Sequence, residues 1–221
     1  MAEFIAHIKS QPSGTSTHSL SAHLQEAAGV ASDYPDHMRD WVKVSGLWHD
    51  LGKYRPGFQR YIRQTPDAPA KDAVASRDKT HSTAGALLAL DRYGDAGRIL
   101  AYLIAGHHAG LYDWHDLSSR LQDPAARTEL DEALAEAPED LLKVEFQPDI
   151  RAIPGCPEWL AGNRPTSIFF ALWLRMLFSS LVDADFLDTE RFMDDDKATA
   201  RTGYPDMAKL ATAFDRHMAE K

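Results

Sequence analysis

The sequence has a single cysteine, Cys156, so no internal disulfide can form, and such sparing use suits a reducing compartment. Cations are scarce for the number of acids: 24 Lys and Arg stand against 33 Asp and Glu, a formal net charge of −9. That balance argues against a free-standing nucleic-acid binder, which neutralises phosphates with clustered Lys and Arg. It does not argue against a site built around divalent cations, because bound ions invert the local electrostatics. Long apolar runs are missing too. The longest, Ile168 to Val182, is interrupted by Arg175 and two serines and falls short of a membrane span. The opening MAEFIAHIKSQPSGTSTHSL lacks the basic and apolar regions of a secretory leader. No GxxxxGK[ST] phosphate loop occurs in the chain. A cytoplasmic protein with no membrane attachment is expected.

What the sequence does have is helical periodicity. At 221 residues and 44% hydrophobic content it can bury one sizeable core, and residues 1–221 read as a single domain. The stretch SLSAHLQEAAGVASDY puts Leu20, Leu24, Ala27, Ala28 and Ala31 on one face. In MRDWVKVSGLWHDLGKY, Trp41, Val44, Leu47, Trp48 and Leu51 recur at helical spacing, and Gly52 is a terminator. Thr65 to Thr80 is polar, holds two prolines and shows no period, which predicts a loop. Helical pattern resumes at HSTAGALLALDRY, again at AGRILAYLIAGHHAG, and in ARTELDEALAEA. The stretch FQPDIRAIPGCPEWLAGNRP reads as peripheral. From Pro165 onward, TSIFFALWLRMLFSSLVDADFLDTERF is apolar nearly all round, as in a helix at the centre of a bundle. With no strand-rich region in view, the expected fold class is all-α.

Ten histidines are many for this length, and their positions are informative. His23 lies on the first amphipathic helix, His49 and Asp50 end the next, and His81 stands where a helix begins. His107 and His108 close another helix, and Asp185 lies on the buried one, with Asp183 as a competitor. Two residues apart on a helix point about 200° apart, so only one of those aspartates can face a common site. Mixed imidazole and carboxylate donors suit Mn, Fe, Co, Ni or Zn rather than calcium or magnesium alone. Adjacent side chains on a helix diverge by about 100°, which makes a His-Asp doublet a poor proton relay. It makes sense where two neighbouring ions share a carboxylate.

The ordered set LWHDLGKYRPGFQRYI, KTHSTAG, AGHHAGL and LVDADFLDTE resembles the HD nuclease of type I CRISPR systems. That nuclease is part of the CRISPR-associated helicase-nuclease and belongs to the HD superfamily of metal-dependent phosphohydrolases. The likeness spans roughly residues 20–190. It implies an HD-superfamily helical bundle with a dinuclear metal site at its centre. One ion would be held by His23, His49, Asp50 and Asp185. Asp50 would bridge to a second ion held by His81, His107 and His108, and Lys53 would sit a helical turn on, facing the scissile phosphate. Asp50 and Lys53 are thus the expected catalytic pair. The implied cofactors are two divalent transition-metal ions, Mn, Ni, Co or Fe, with Mg or Zn as alternatives. The implied substrate is single-stranded DNA, cut during CRISPR interference in antiviral defence. The implied partners are the helicase, fused or a separate subunit, and the RNA-guided surveillance complex.

Blander readings exist for each residue. A lone histidine on an apolar face is usually a core residue, and His18 is a nearby alternative to His23. A lysine after a helix end is commonplace. Ser82 reads as a helix N-terminal residue, and His37, His115 and His217 lie outside the motifs. The aromatics Trp41, Trp48, Phe169, Phe170 and Trp173 read as core; Tyr54 and Phe58 are candidates for substrate contact. Two other functions compete: a nucleotide or cyclic-nucleotide phosphohydrolase, and a docking module that binds metal without turnover.

Overall fold

The computed structural model describes residues 3–12, 14–64, 79–150, 153, 168–201 and 205–220. It begins with a hairpin of β1 (Ile5–Gln11) and β2 (Gly14–Ser19). Helices follow as α1 (Leu20–Gly29), α2 (Asp36–Trp48), α3 (Pro56–Ile62), α4 (Ser82–Gly106), α5 (Trp114–Gln122), α6 (Pro124–Glu136) and α7 (Glu139–Leu142). The last three are α8 (Ile168–Met193), α9 (Asp195–Ala200) and α10 (Met207–Ala219). Among the described residues the fold is all-α apart from the hairpin. Among the described residues, no helix is long and apolar enough to cross a membrane. The expected loop over 65–80 lies outside the described residues except for Lys79 and Thr80, and most of the stretch read as peripheral lies outside them too.

The hairpin corrects the strand-free expectation. Its strands pair antiparallel with His7 opposite His18 and Gln11 opposite Gly14, and a bulge lies between Ile5 and His7. Gly14 takes φ 135° at the turn, a conformation that L side chains rarely adopt. Two strands alone are marginal in water, so this hairpin is held from outside. Gln59 of α3 accepts from the Ile5 N–H at 3.0 Å and donates to the Ile5 carbonyl at 2.9 Å. The Leu20 N–H bonds the Phe4 carbonyl at 2.8 Å, fixing the entry to α1.

The core is formed where α1, α2, α4 and α8 meet, with Leu20, Leu24, Val44, Trp48, Leu51, Leu100, Leu103, Ile104 and Leu177 buried in one cluster. The buried Trp48 indole donates to the Leu141 carbonyl at 3.1 Å, which satisfies its one polar atom. A straight helix of α4's length would hold its ends about 37 Å apart. Instead the rings of His81, just before α4, and His107, just after it, have centroids 5.9 Å apart. The chain reverses at Gly94, whose φ of 54° and ψ of −126° break the helix. The two helical stretches read from the sequence on either side of Gly94 are therefore two antiparallel halves. This reversal returns the HH doublet to the place where α4 begins.

Candidate metal centre

Helix α2 ends at Trp48, two residues before the expected aspartate; His49 is its C-cap and Asp50 leaves helical geometry at φ −109°, ψ 20°. Leu51–Tyr54 then form a single 3-10 turn. The 100° divergence of neighbours on a helix no longer applies here. His49 Nε2 and Asp50 Oδ2 converge to 3.5 Å. Gly52 makes this turn fit. Its N–H bonds the His81 carbonyl at 3.0 Å, and a Cβ there would meet that oxygen at 2.4 Å. Behind the turn, the buried Arg55 donates to Glu132 at 3.0 Å and to the Thr80 carbonyl at 3.2 Å, fixing the segment that carries His81.

Asp50 is fully buried, and its two oxygens face different neighbours. Oδ2 lies 3.4 Å from His23 Nε2, and His23 Nε2 lies 3.4 Å from Asp185 Oδ1. Oδ1 lies 3.4 Å from the Nε2 atoms of both His81 and His107. His108 joins the second set, its Nε2 2.9 Å from that of His81. Two groups of four result: His23, His49, Asp50 and Asp185, and Asp50, His81, His107 and His108. In each, one donor atom per residue lies within 4.8 Å of all the others. The structure thus brings all seven expected ligands together. Asp185 faces the cluster from α8, and Asp183 is exposed.

The donor chemistry of these groups fits a metal. His49 Nδ1 bonds the Gly46 carbonyl at 2.8 Å, His107 Nδ1 the Ile104 carbonyl at 2.6 Å, and His81 Nδ1 the Lys79 carbonyl at 3.1 Å. His23 Nδ1 bonds the Asp188 carboxylate at 2.6 Å. Carbonyls and carboxylates only accept, so each Nδ1 carries the proton. With Nδ1 so engaged, all four imidazoles turn Nε2 toward the Asp50 carboxylate. Among the described residues, no hydrogen bond of normal geometry reaches Asp50 Oδ1, Asp50 Oδ2 or His107 Nε2. Such a convergence is favourable only around positive charge.

The protonation behaviour expresses the same demand. Burial works against a charged His23, yet Asp185, Asp188 and Asp50 together push its pKa up to about 10. Burial also opposes charge on Asp50, but Lys53, His49 and His81 hold its carboxyl well below the usual carboxylate range. Burial lowers His81 to about 4 despite Asp50.

Lys53 differs from expectation. It lies in the 3-10 turn rather than a helical turn onward, and it is buried, with Nζ 2.6 Å from Asp50 Oδ2 and donating to the Ala6 carbonyl of β1 at 3.3 Å. Its ammonium lies where the first group needs a cation. Tyr54 and Phe58 are buried as well, which assigns them to packing rather than substrate contact. Phe58 lies against the His81 ring, centroids 5.2 Å apart.

Two features escaped the sequence. Asp188 is buried on α8 one turn beyond Asp185, and the i, i+3 spacing inside LVDADFLDTE was its available signal. His7, which carries no motif signal, meets His18 across the hairpin. These two and His23 offer nitrogens within 4.8 Å of one another. His7 is in contact with Thr189 Oγ1 at 3.1 Å, and burial lowers its pKa to about 3.

A helical bundle that gathers imidazoles and carboxylates in this chain order, with the HD doublet at its centre, defines an HD domain of the metal-dependent hydrolase class. The chain belongs to the Cas3 HD family, the HD-domain nucleases of CRISPR-associated Cas3-like proteins: the family model described as Cas3, HD domain, matches residues 8–171. No curated protein matches the chain. The matched stretch contains His23, His49, Asp50, Lys53, His81, His107 and His108 and stops before Asp185, whose place in the site rests on geometry.

Proposed function

We propose that this protein is a metal-dependent nuclease that hydrolyses phosphodiester bonds of single-stranded DNA during CRISPR interference. The observation that carries the reading is the division of Asp50: one oxygen lies beside His23 and His49, the other beside His81 and His107, with Asp185 and His108 completing the two groups. A carboxylate placed in this way is suited to bridge two cations. His23, His49, Asp50 and Asp185 would hold one, and Asp50, His81, His107 and His108 the other. The nitrogen-rich donor set favours Mn, Fe, Co or Ni over a magnesium pair. Two divalent ions supply the positive charge that polarises a phosphoryl oxygen, acidifies water and stabilises a leaving oxygen.

The chain's own residues do the rest. Asp50 keeps both oxygens ionised and available, because Lys53 offsets the cost of burying them. Lys53, whose ammonium lies beside Asp50, would offset the charge developing on phosphate. His108 is the exposed ligand, so substrate approaches from its side. The net charge of −9 gives the domain weak intrinsic hold on DNA, consistent with strand delivery by a helicase partner at an RNA-guided complex. The lone Cys156 suits a cytoplasmic setting.

Incubation with manganese and circular single-stranded DNA, beside a panel of nucleotides and cyclic nucleotides, tests this function. Manganese-dependent loss of the circle is expected. Turnover of a nucleotide with the circle intact contradicts the proposal and supports the nucleotide phosphohydrolase alternative.

A further inference from the structure

A histidine that binds metal through one ring nitrogen needs its other nitrogen held, and the partner sets both the angle of the ring and its basicity. In this site three of the imidazoles, His49, His81 and His107, use backbone carbonyls for that purpose. His23 does not. Its Nδ1 donates to the Asp188 carboxylate at 2.6 Å, while Nε2 on the opposite side of the ring faces Asp50, Asp185 and His49.

The two aspartates of α8 thus divide the work around one ring. Asp185 stands on the Nε2 side, within the group of donors, and Asp188, one helical turn later, stands behind it. Asp188 is buried, and two further side chains face its carboxylate. Arg191 Nη1 lies 3.6 Å from Oδ1, and His18 Nε2 of the hairpin lies 3.6 Å from Oδ2. His18 in turn is stacked on Phe192, ring centroids 4.8 Å apart, so the hairpin closes over this corner of the site.

We propose that Asp188 is a positioning residue of the metal centre: through His23 Nδ1 it fixes the ring and raises the basicity of Nε2, selectively strengthening the ion held by His23, His49, Asp50 and Asp185. This rests on the two-ion reading above. A carboxylate behind His23, against carbonyls behind His49, His81 and His107, makes the two ion positions unequal by construction. The group containing His81, His107 and His108 has no contact with Asp188 and should not sense its loss.

Titration of the metal-free protein with cobalt(II), followed by its visible absorption and by competition with a chromophoric chelator, separates the possibilities. The wild type should take two ions. Asp188→Ala should weaken one of them by about 10–100-fold and leave the other unchanged, and Asp188→Asn, which keeps an acceptor but loses the charge, should fall between. Two ions bound by Asp188→Ala as tightly as by the wild type overturn the proposal. So does an equal weakening of both ions with a lowered melting temperature, which marks a structural role alone. A wild type that binds fewer than two ions overturns the two-ion reading instead, an outcome separable from the others because it appears before any substitution.

Discussion

Asp50 is the residue on which the site depends, because both of its oxygens are in use and neither is hydrogen-bonded in the ordinary way. Its replacement by alanine removes a donor from both groups at once. A two-ion centre supplies several kcal/mol of transition-state stabilisation, so Asp50→Ala is expected to lower single-strand cleavage by about 10³-fold or more. Unchanged DNA degradation by this variant would show that the ions do no chemistry and favour the docking-module reading. Lys53 gives a second test at this scale. Its buried ammonium balances Asp50, and breaking a buried pair from one side costs about 3–5 kcal/mol. Lys53→Met should therefore destabilise the protein by about that much in chelator, and manganese should return most of the loss, as read by urea unfolding in both conditions. Equal losses with and without manganese would mean that the ammonium and the metal do not share a role.

Among the elements, the reversal inside α4 decides whether the second group of donors exists. Gly94 adopts a backbone conformation close to glycine-only, and an L residue there costs about 1–3 kcal/mol. Gly94→Ala should lose that much stability by denaturant titration while retaining seven intact ligands. A neutral result would mean that the turn relaxes into an ordinary helical geometry, which would draw His81 and His107 apart. Gly52 acts more locally. A Cβ there meets the His81 backbone, so Gly52→Ala should weaken the ion bound by His81, His107 and His108, observed as the loss of one of two cobalt equivalents.

These same elements show what the sequence could and could not say. The helices and the seven candidate ligands were legible because 3.6-residue periodicity and the motif order are properties of the chain itself. The hairpin was not, since its strands are short and polar and are stabilised by Gln59 and Leu20 rather than by their own composition. Nor was the true end of α2. Gly52 marked a terminator, but the helix stops at Trp48 because Asp50 turns inward to serve both groups. Asp188 stayed hidden because its i, i+3 spacing from Asp185 reads equally well as an ordinary acidic helix face.

For the whole molecule, the metal centre is a cross-link. Its donors come from α1, the turn after α2, both ends of α4, and α8, segments that span His23 to Asp185 in sequence. Ions that bind only the assembled site stabilise the fold by mass action, about 2.7 kcal/mol for one site at a hundredfold excess over its dissociation constant. Unfolding in manganese against chelator should show at least this difference. Anomalous scattering from manganese-soaked crystals tests the central claim most directly. Two peaks per chain, one beside each carboxylate oxygen of Asp50, are the predicted result. A single peak, or none, at saturating manganese would contradict it.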